Sequence, residues 1–139
     1  MKGKIFAMKK FVLFTLSLLL MFSFQAIAAE TYKVDPVHSM VVFRVKHLVS
    51  YTYGRFNELS GTFNIDNETP NKSSVEIEVR TESVDTFNEK RDQHLKSPDF
   101  FNAKQFPVIT FKSKAVKKVS EDTYEVTGDL SLHGVTRPL

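Results

Sequence analysis

Ser39, Val41, Phe43, Val45 and His47 alternate with Met40, Val42, Arg44 and Lys46. This period of two predicts a half-buried strand with a mixed second face. Leu59, Gly61, Phe63 and Ile65 alternate with Ser60, Thr62, Asn64 and Asp66 and predict another. Residues 67–74, with Pro70 and Asn71, read as a turn. Val75, Ile77 and Val79 against Glu76, Glu78 and Arg80 make the cleanest strand of the chain. Ile109, Phe111 and Ala115 continue the apolar set after Pro107. Tyr124, Val126, Leu130 and Leu132 repeat it, with Glu125, Thr127, Asp129 and Ser131 outward. Ser120-Glu121-Asp122 reads as the hairpin turn between these last two, and Gly128 marks a bend or bulge. Residues 32–34 offer a sixth strand, and residues 133–139 read as a turn leading into one more.

One stretch breaks the alternation. Thr86 followed by Glu89 has the form of a capping box, and Asp92 and Lys96 stand four residues apart in the favourable order. Ser97-Pro98 reads as the N-cap and first position of a second short turn, with Asp99 suited to its dipole. Phe100 and Phe101 follow side by side, which suggests a small polar lid seated on an apolar interior. Strands at short spacing with one helical interruption predict an all-β fold, an antiparallel sandwich or barrel.

The first residues carry a different signal. Lys2, Lys4, Lys9 and Lys10 precede the uncharged apolar run Phe11 to Phe24, and Ala26-Ile27-Ala28 fits a cleavage site. Residues 1–28 are therefore expected to be a secretory signal peptide, leaving 29–139 as a single exported domain. The leader also changes the charge balance. It holds four of the 19 Lys and Arg and none of the 16 acids, so the rest of the chain is net −1. Such a balance speaks against a nucleic-acid footprint. Lys112, Lys114, Lys117 and Lys118 are spaced as the solvent face of a strand. With no Cys, neither disulfides nor thiolate metal sites are available.

Val41, Phe43, Val45, Phe63, Ile65, Val75, Ile77, Val79, Ile109 and Phe111 all fall on positions that would face one interior. Alternation alone describes a dry core as well as a ligand-holding lumen. His38, His47, His94 and His133 are scattered without a paired ligand spacing, so no metal site is expected. There is no Gly-x-Ser-x-Gly elbow, Walker loop or His-Glu-x-x-His.

Several motifs stand in a definite order and spacing. The first are Asp35-Pro36-Val37-His38-Ser39 with Val42-Phe43 and Val45-Lys46-His47, then Gly54-Arg55-Phe56 and Gly61-Thr62-Phe63. Ser83-Val84-Asp85-Thr86, Arg91-Asp92 with His94-Leu95, and Asp99-Phe100-Phe101 follow. Phe106-Pro107, Thr110-Phe111 with Ser113, Gly128-Asp129-Leu130 and His133-Gly134-Val135-Thr136 complete the series. In order and spacing, this series resembles the YceI-like, polyisoprenoid-binding periplasmic family. The resemblance implies an antiparallel lipocalin-like β-barrel with a short helical insert. The family's closing strands lie past the His-Gly-Val-Thr element, so the barrel is expected to be incomplete at the C-terminus.

The resemblance also implies a periplasmic, non-enzymatic carrier for a long isoprenoid or quinone-like lipid, with no cofactor. The apolar positions above, with Phe100 and Phe101 sealing one end, become candidate lumen residues. His38, His47, Arg91, Asp92 and His94 become polar mouth or structural residues. Arg91 or His94 would meet a head group, or would hold the helix to the strands; Asp92 and Asp99 favour the structural role, because they would repel an anionic head. Two rival classes stay open: an enzyme using a His/Asp acid–base pair such as His94 with Asp92 or Asp99, and an envelope interaction protein. Transient contact with a membrane surface through Arg44, Lys46 and the lysines near Lys117 is a further expectation, as is a homodimer.

Overall fold

The computed structural model describes residues 29–139. The expected signal peptide therefore lies outside the described residues. Nine strands and one α-helix follow in order: β1 (Glu30–Lys33), β2 (Val41–His47), β3 (Ser50–Phe56), β4 (Leu59–Ile65), β5 (Ser74–Arg80), β6 (Val84–Asp85), α1 (Glu89–Lys96), β7 (Val108–Ser120), β8 (Thr123–Leu132) and β9 (Val135–Pro138). All pairings are antiparallel. A six-stranded sheet runs β1-β4-β5-β7-β8-β9, and a three-stranded sheet runs β2-β3-β6. The architecture is the expected lipocalin-like one, but over the described residues the two sheets do not close into a barrel.

Register explains where the core lies. Leu59 stands opposite Val79 and Phe63 opposite Val75. Val79 pairs with Ile109, Ile77 with Phe111, and Phe111 with Leu130. These side chains share one face of the large sheet. Val41 opposite Phe56 begins the matching face of the small sheet. The buried cluster Phe56, Val79, Val84 and Ile109 draws on both sheets, with Val41, Phe43, Leu59, Ile77, Leu95, Phe101 and Leu130 packed around it.

β3 is the strand that alternation alone does not pick out. Its large residues Tyr51 and Tyr53 point outward, while its inward positions include Thr52 and Gly54. The usual inside-apolar pattern is therefore blurred. β7 departs from strict alternation in another way. A bulge between Ser113 and Ala115 shifts the register, so Val116 is buried and Ala115 is exposed, contrary to the expected face. Gly128 lies across from that bulge rather than carrying it. A Cβ there would stand 2.3 Å from the carbonyl oxygen of Lys112, so the strands approach this closely only around glycine.

The helix begins two residues later than the capping-box reading. Asn88 is the N-cap, its side chain accepting from the Arg91 amide at 3.0 Å. Thr86 is buried and its hydroxyl is engaged elsewhere. Asp92 and Lys96 do not pair with each other: Asp92 accepts from the Thr86 amide at 2.9 Å, and Lys96 lies 3.5 Å from Glu82. Ser97 ends α1 as its C-cap, and its carbonyl then accepts from the amides of Phe100 and Asn102. The expected second helical turn is thus a reverse turn that carries Phe100 and Phe101.

β6 is held to β3 by only two residue pairs, Arg55–Asp85 and Phe56–Val84. Asp85 reinforces the short pairing. It accepts from the Phe87 amide at 2.9 Å and from Arg55 Nε and Nη2 at 3.1 and 2.9 Å. The Phe87 N–H, and then Arg55, hold its carboxyl below the usual carboxylate range. Because the folded-state value is depressed, this contribution is complete above the unfolded value of about 3.9 and disappears as pH falls through the lower folded value. Asp85→Asn is accordingly expected to be less stable than the native protein at neutral pH, with the gap narrowing below about pH 4. Urea titrations at a series of pH values measure it.

Candidate functional site

A cavity of about 640 Å³ opens where the small sheet meets α1 and the turn after it. The β2–β3 pair builds one wall. Phe43, Val45 and His47 from β2 line it together with Thr52 and Phe56 from β3. They share a face because Phe43 is opposite Gly54 and Val45 is opposite Thr52. Gly54 leaves room for the Phe43 ring: a Cβ at that position would lie 2.3 Å from Phe43 Cζ and 2.8 Å from Thr86 Cγ2. Gly54→Ala is expected to push the ring off the wall and to destabilise the domain by about 1–3 kcal/mol, through overpacking. The shift of the urea midpoint at unchanged slope reads this.

α1 and its following turn supply the opposite wall: Arg91, His94, Leu95, Phe100 and Phe101. Three aromatic rings connect the two walls. Phe56 sits 5.5 Å from Phe43 and 5.5 Å from Phe101, centroid to centroid. Leu132 from β8 completes the lining. Phe100 is half exposed at the rim and packs edge-on against His94 at 4.8 Å. His94 Nε2 also lies 3.4 Å from Asp99 Oδ2.

Thr86, Arg91 and Asp92 form a connected polar set on the α1 side of the cavity. Arg91 Nε donates to Thr86 Oγ1 at 2.7 Å, and Arg91 Nη2 donates to the Thr86 carbonyl at 2.6 Å. The Thr86 hydroxyl donates to Asp92 Oδ1, which also accepts from the Thr86 amide. Two neighbouring helix residues of opposite charge, Arg91 and Asp92, thus converge on one buried threonine, and the set fastens α1 to the segment after β6. No buried side-chain nitrogen or oxygen among the described residues lacks a hydrogen-bond partner.

The expected site residues divide between this cavity and the closed core. Phe43, Val45, Phe100 and Phe101 line the cavity, as do His47, Arg91 and His94. Asp92 stands behind it, bonded to Thr86. Val79 and Ile109 lie in the buried cluster, with Val41 and Ile77 against it. Val75 is also buried, and Phe63, Ile65 and Phe111 are half-buried on the same face of the large sheet. None of these eight borders the cavity. His38 lies in the loop before β2, exposed, with Nδ1 2.7 Å from Asp35 Oδ2. That bond is the first cause holding the Asp35 carboxyl below its usual range.

Thr52, Phe56, Thr86, Leu95 and Leu132 line the cavity without having been singled out as site residues. Phe56 carried a signal, since Thr52, Gly54 and Phe56 alternate with the tyrosines. Leu95 and Leu132 are ordinary apolar positions until the turn after α1 and the end of β8 are brought together. Among the described residues, no group of three or more His, Asp or Glu is placed to hold a metal ion. Nor is any helix among them long and apolar enough to cross a membrane.

The model of the YceI-like domain matches residues 32–139. The chain belongs to the YceI-like family. Protein YceI of Salmonella arizonae is 45% identical over 136 residues, a match covering 95% of this chain and 70% of that protein. BcnA of Burkholderia cenocepacia shares the fold with a TM-score of 0.71 at 26% identity, over 76% of this chain and 67% of its own. A Saccharophagus degradans domain, described as polyisoprenoid-binding and implicated in plant cell wall breakdown, aligns with a TM-score of 0.50 at 21% identity. That match covers 81% of this chain and 61% of that domain's, and shows likeness of fold. Family membership places the cavity in a lipocalin-like frame, where two sheets and an inserted helix surround an apolar interior.

Proposed function

We propose that this protein binds a lipid and that the ligand is the tail of a long isoprenoid, polyprenyl or quinone-like, carried or sequestered in the periplasm. The observation that carries the reading is the cavity: aromatic and aliphatic side chains on both walls, with Thr86, Arg91 and His94 as polar groups on the α1 side and only His47 and Thr52 on the β2–β3 wall. The Saccharophagus domain described as polyisoprenoid-binding supports the same ligand class. Export rests on the leader pattern of residues 1–28.

The cavity's size limits how much of such a ligand it holds. At about 30 Å³ per heavy atom, taking the share of a water molecule, 640 Å³ seats about 20 atoms. At roughly −0.3 kcal/mol per atom they contribute about −6 kcal/mol, a dissociation constant of tens of micromolar. A chain of about 40 carbons would approach −12 kcal/mol only if fully enclosed. The described walls therefore account for about half of such a ligand. This binding requires no catalytic group, and the reading assigns none.

The test is organic extraction of the purified protein followed by mass spectrometry, with titration of a polyprenyl alcohol into the delipidated protein. Co-purification of a prenyl lipid, or saturable uptake of the alcohol, is the expected result. Reproducible absence of lipid together with no uptake would overturn the reading.

A further inference from the structure

The β2–β3 hairpin has a turn that is poorly suited to being only a turn. His47 pairs with Ser50, leaving Leu48 and Val49 as the two-residue connection. Such connections favour glycine, asparagine or aspartate, because a central residue must take positive φ. Here Leu48 holds φ at 53°, a conformation costly for a bulky side chain. Leu48 is 82% exposed and Val49 is 100% exposed. The tip thus presents two aliphatic side chains to solvent on a backbone that a smaller residue would fit better.

Its surroundings are of one kind. The outward face of the hairpin carries Arg44 opposite Tyr53 and Lys46 opposite Tyr51. Arg44 lies over the Tyr51 ring at 4.5 Å, and both tyrosines are more than half exposed. From Pro36 to Asn57 the sequence contains Arg44, Lys46 and Arg55 and no Asp or Glu. Arg55 is engaged by Asp85, while among the described residues Arg44 and Lys46 have no carboxylate within salt-bridge distance. An aliphatic tip, a pair of interfacial tyrosines and uncompensated cations behind them match the layers of an anionic bilayer surface.

We propose that the Leu48–Val49 hairpin tip docks this protein on an anionic phospholipid surface. The aliphatic pair enters the acyl boundary, the tyrosines lie at head-group level, and Arg44 and Lys46 meet the phosphates. The proposal does not depend on what the cavity holds, although His47, one residue from the tip, lines that cavity. A docked tip would place the cavity mouth beside the membrane.

The test uses the exported protein and vesicle flotation with phosphatidylglycerol–phosphatidylcholine mixtures against pure phosphatidylcholine. Leu48→Gly with Val49→Ser suits the turn better and keeps the fold, so its melting temperature is expected to be unchanged or higher. Its partition onto anionic vesicles is expected to fall at least tenfold. Arg44→Gln with Lys46→Gln is expected to erase the preference for anionic vesicles, by about fivefold per cation at low salt. Equal flotation of the native protein and the tip variant would overturn the proposal. So would native dimers that dissociate on changing the tip, with no vesicle binding, because a second copy would then be the tip's partner. Neither result bears on lipid extraction from the cavity.

Discussion

Phe56→Ala is expected to lower stability by about 3–5 kcal/mol, the largest single-residue effect in the domain. Phe56 is only 5% exposed and belongs to the buried cluster with Val79, Val84 and Ile109. Its ring bridges Phe43 on β2 and Phe101 in the turn after α1, at 5.5 Å from each. Truncation therefore removes transfer free energy, opens a void and separates the lid from the sheet at once. Small domains have about 5–15 kcal/mol in total, so a large part of the folded population is at stake. With about 4–8 °C of melting temperature per kcal/mol for a domain near this size, a drop of more than about 12 °C is expected in thermal unfolding followed by circular dichroism. A change of less than about 1 kcal/mol would mean that the two sheets and the lid are not joined through this ring.

Val45→Arg separates binding from folding. Val45 lines the cavity on β2 yet is 55% exposed, so a longer polar side chain there can extend toward the opening. A stability change of less than about 1 kcal/mol is expected, as for other substitutions outside the packed core. Its guanidinium would nevertheless be desolvated by an apolar tail laid across β2, without a partner carboxylate on that wall. Polyprenyl uptake is then expected to weaken by at least about tenfold, since burying an unpaired polar group costs roughly 1–3 kcal/mol and a charge costs more. Isothermal titration of both proteins with the same prenyl alcohol measures the ratio, and thermal melts check the fold. Unchanged uptake would place the tail away from the β2 wall.

The two variants also mark how far the sequence could be read. β4, β5 and β8 were legible because each has a polar outer face and an apolar inner face, and β2 because its inner face is apolar although Val42 stands beside Arg44 and Lys46 on the outer one; a period of two follows directly from a strand's geometry. β3 was not legible from alternation, because Tyr51 and Tyr53 are kept on its outer face and Gly54 on its inner one. The bulge that exchanges Ala115 for Val116 was invisible for a related reason: both residues are small and apolar, and only pairing with β8 decides which faces inward. At the helix, Thr86 looked like a cap because its type and spacing fit one. Burial recruited its hydroxyl to Arg91 and Asp92 instead, and Asn88 took the capping role.

By itself, the sequence determined the all-β character, the helical interruption, the family and which faces of the strands are apolar. These are local properties, carried by periodicity, turn chemistry and motif order within a few residues of each other. Only the tertiary structure decided which apolar residues close into a core and which border the cavity. Val41, Phe43, Val45 and His47 share one face of one strand, but Val41 packs against the core, while Phe43, Val45 and His47 line the open gap across from α1 and the Phe100–Phe101 turn. That difference depends on how far apart the two sheets and the helix stand at each level, a distance set by long-range packing and by the room left at Gly54.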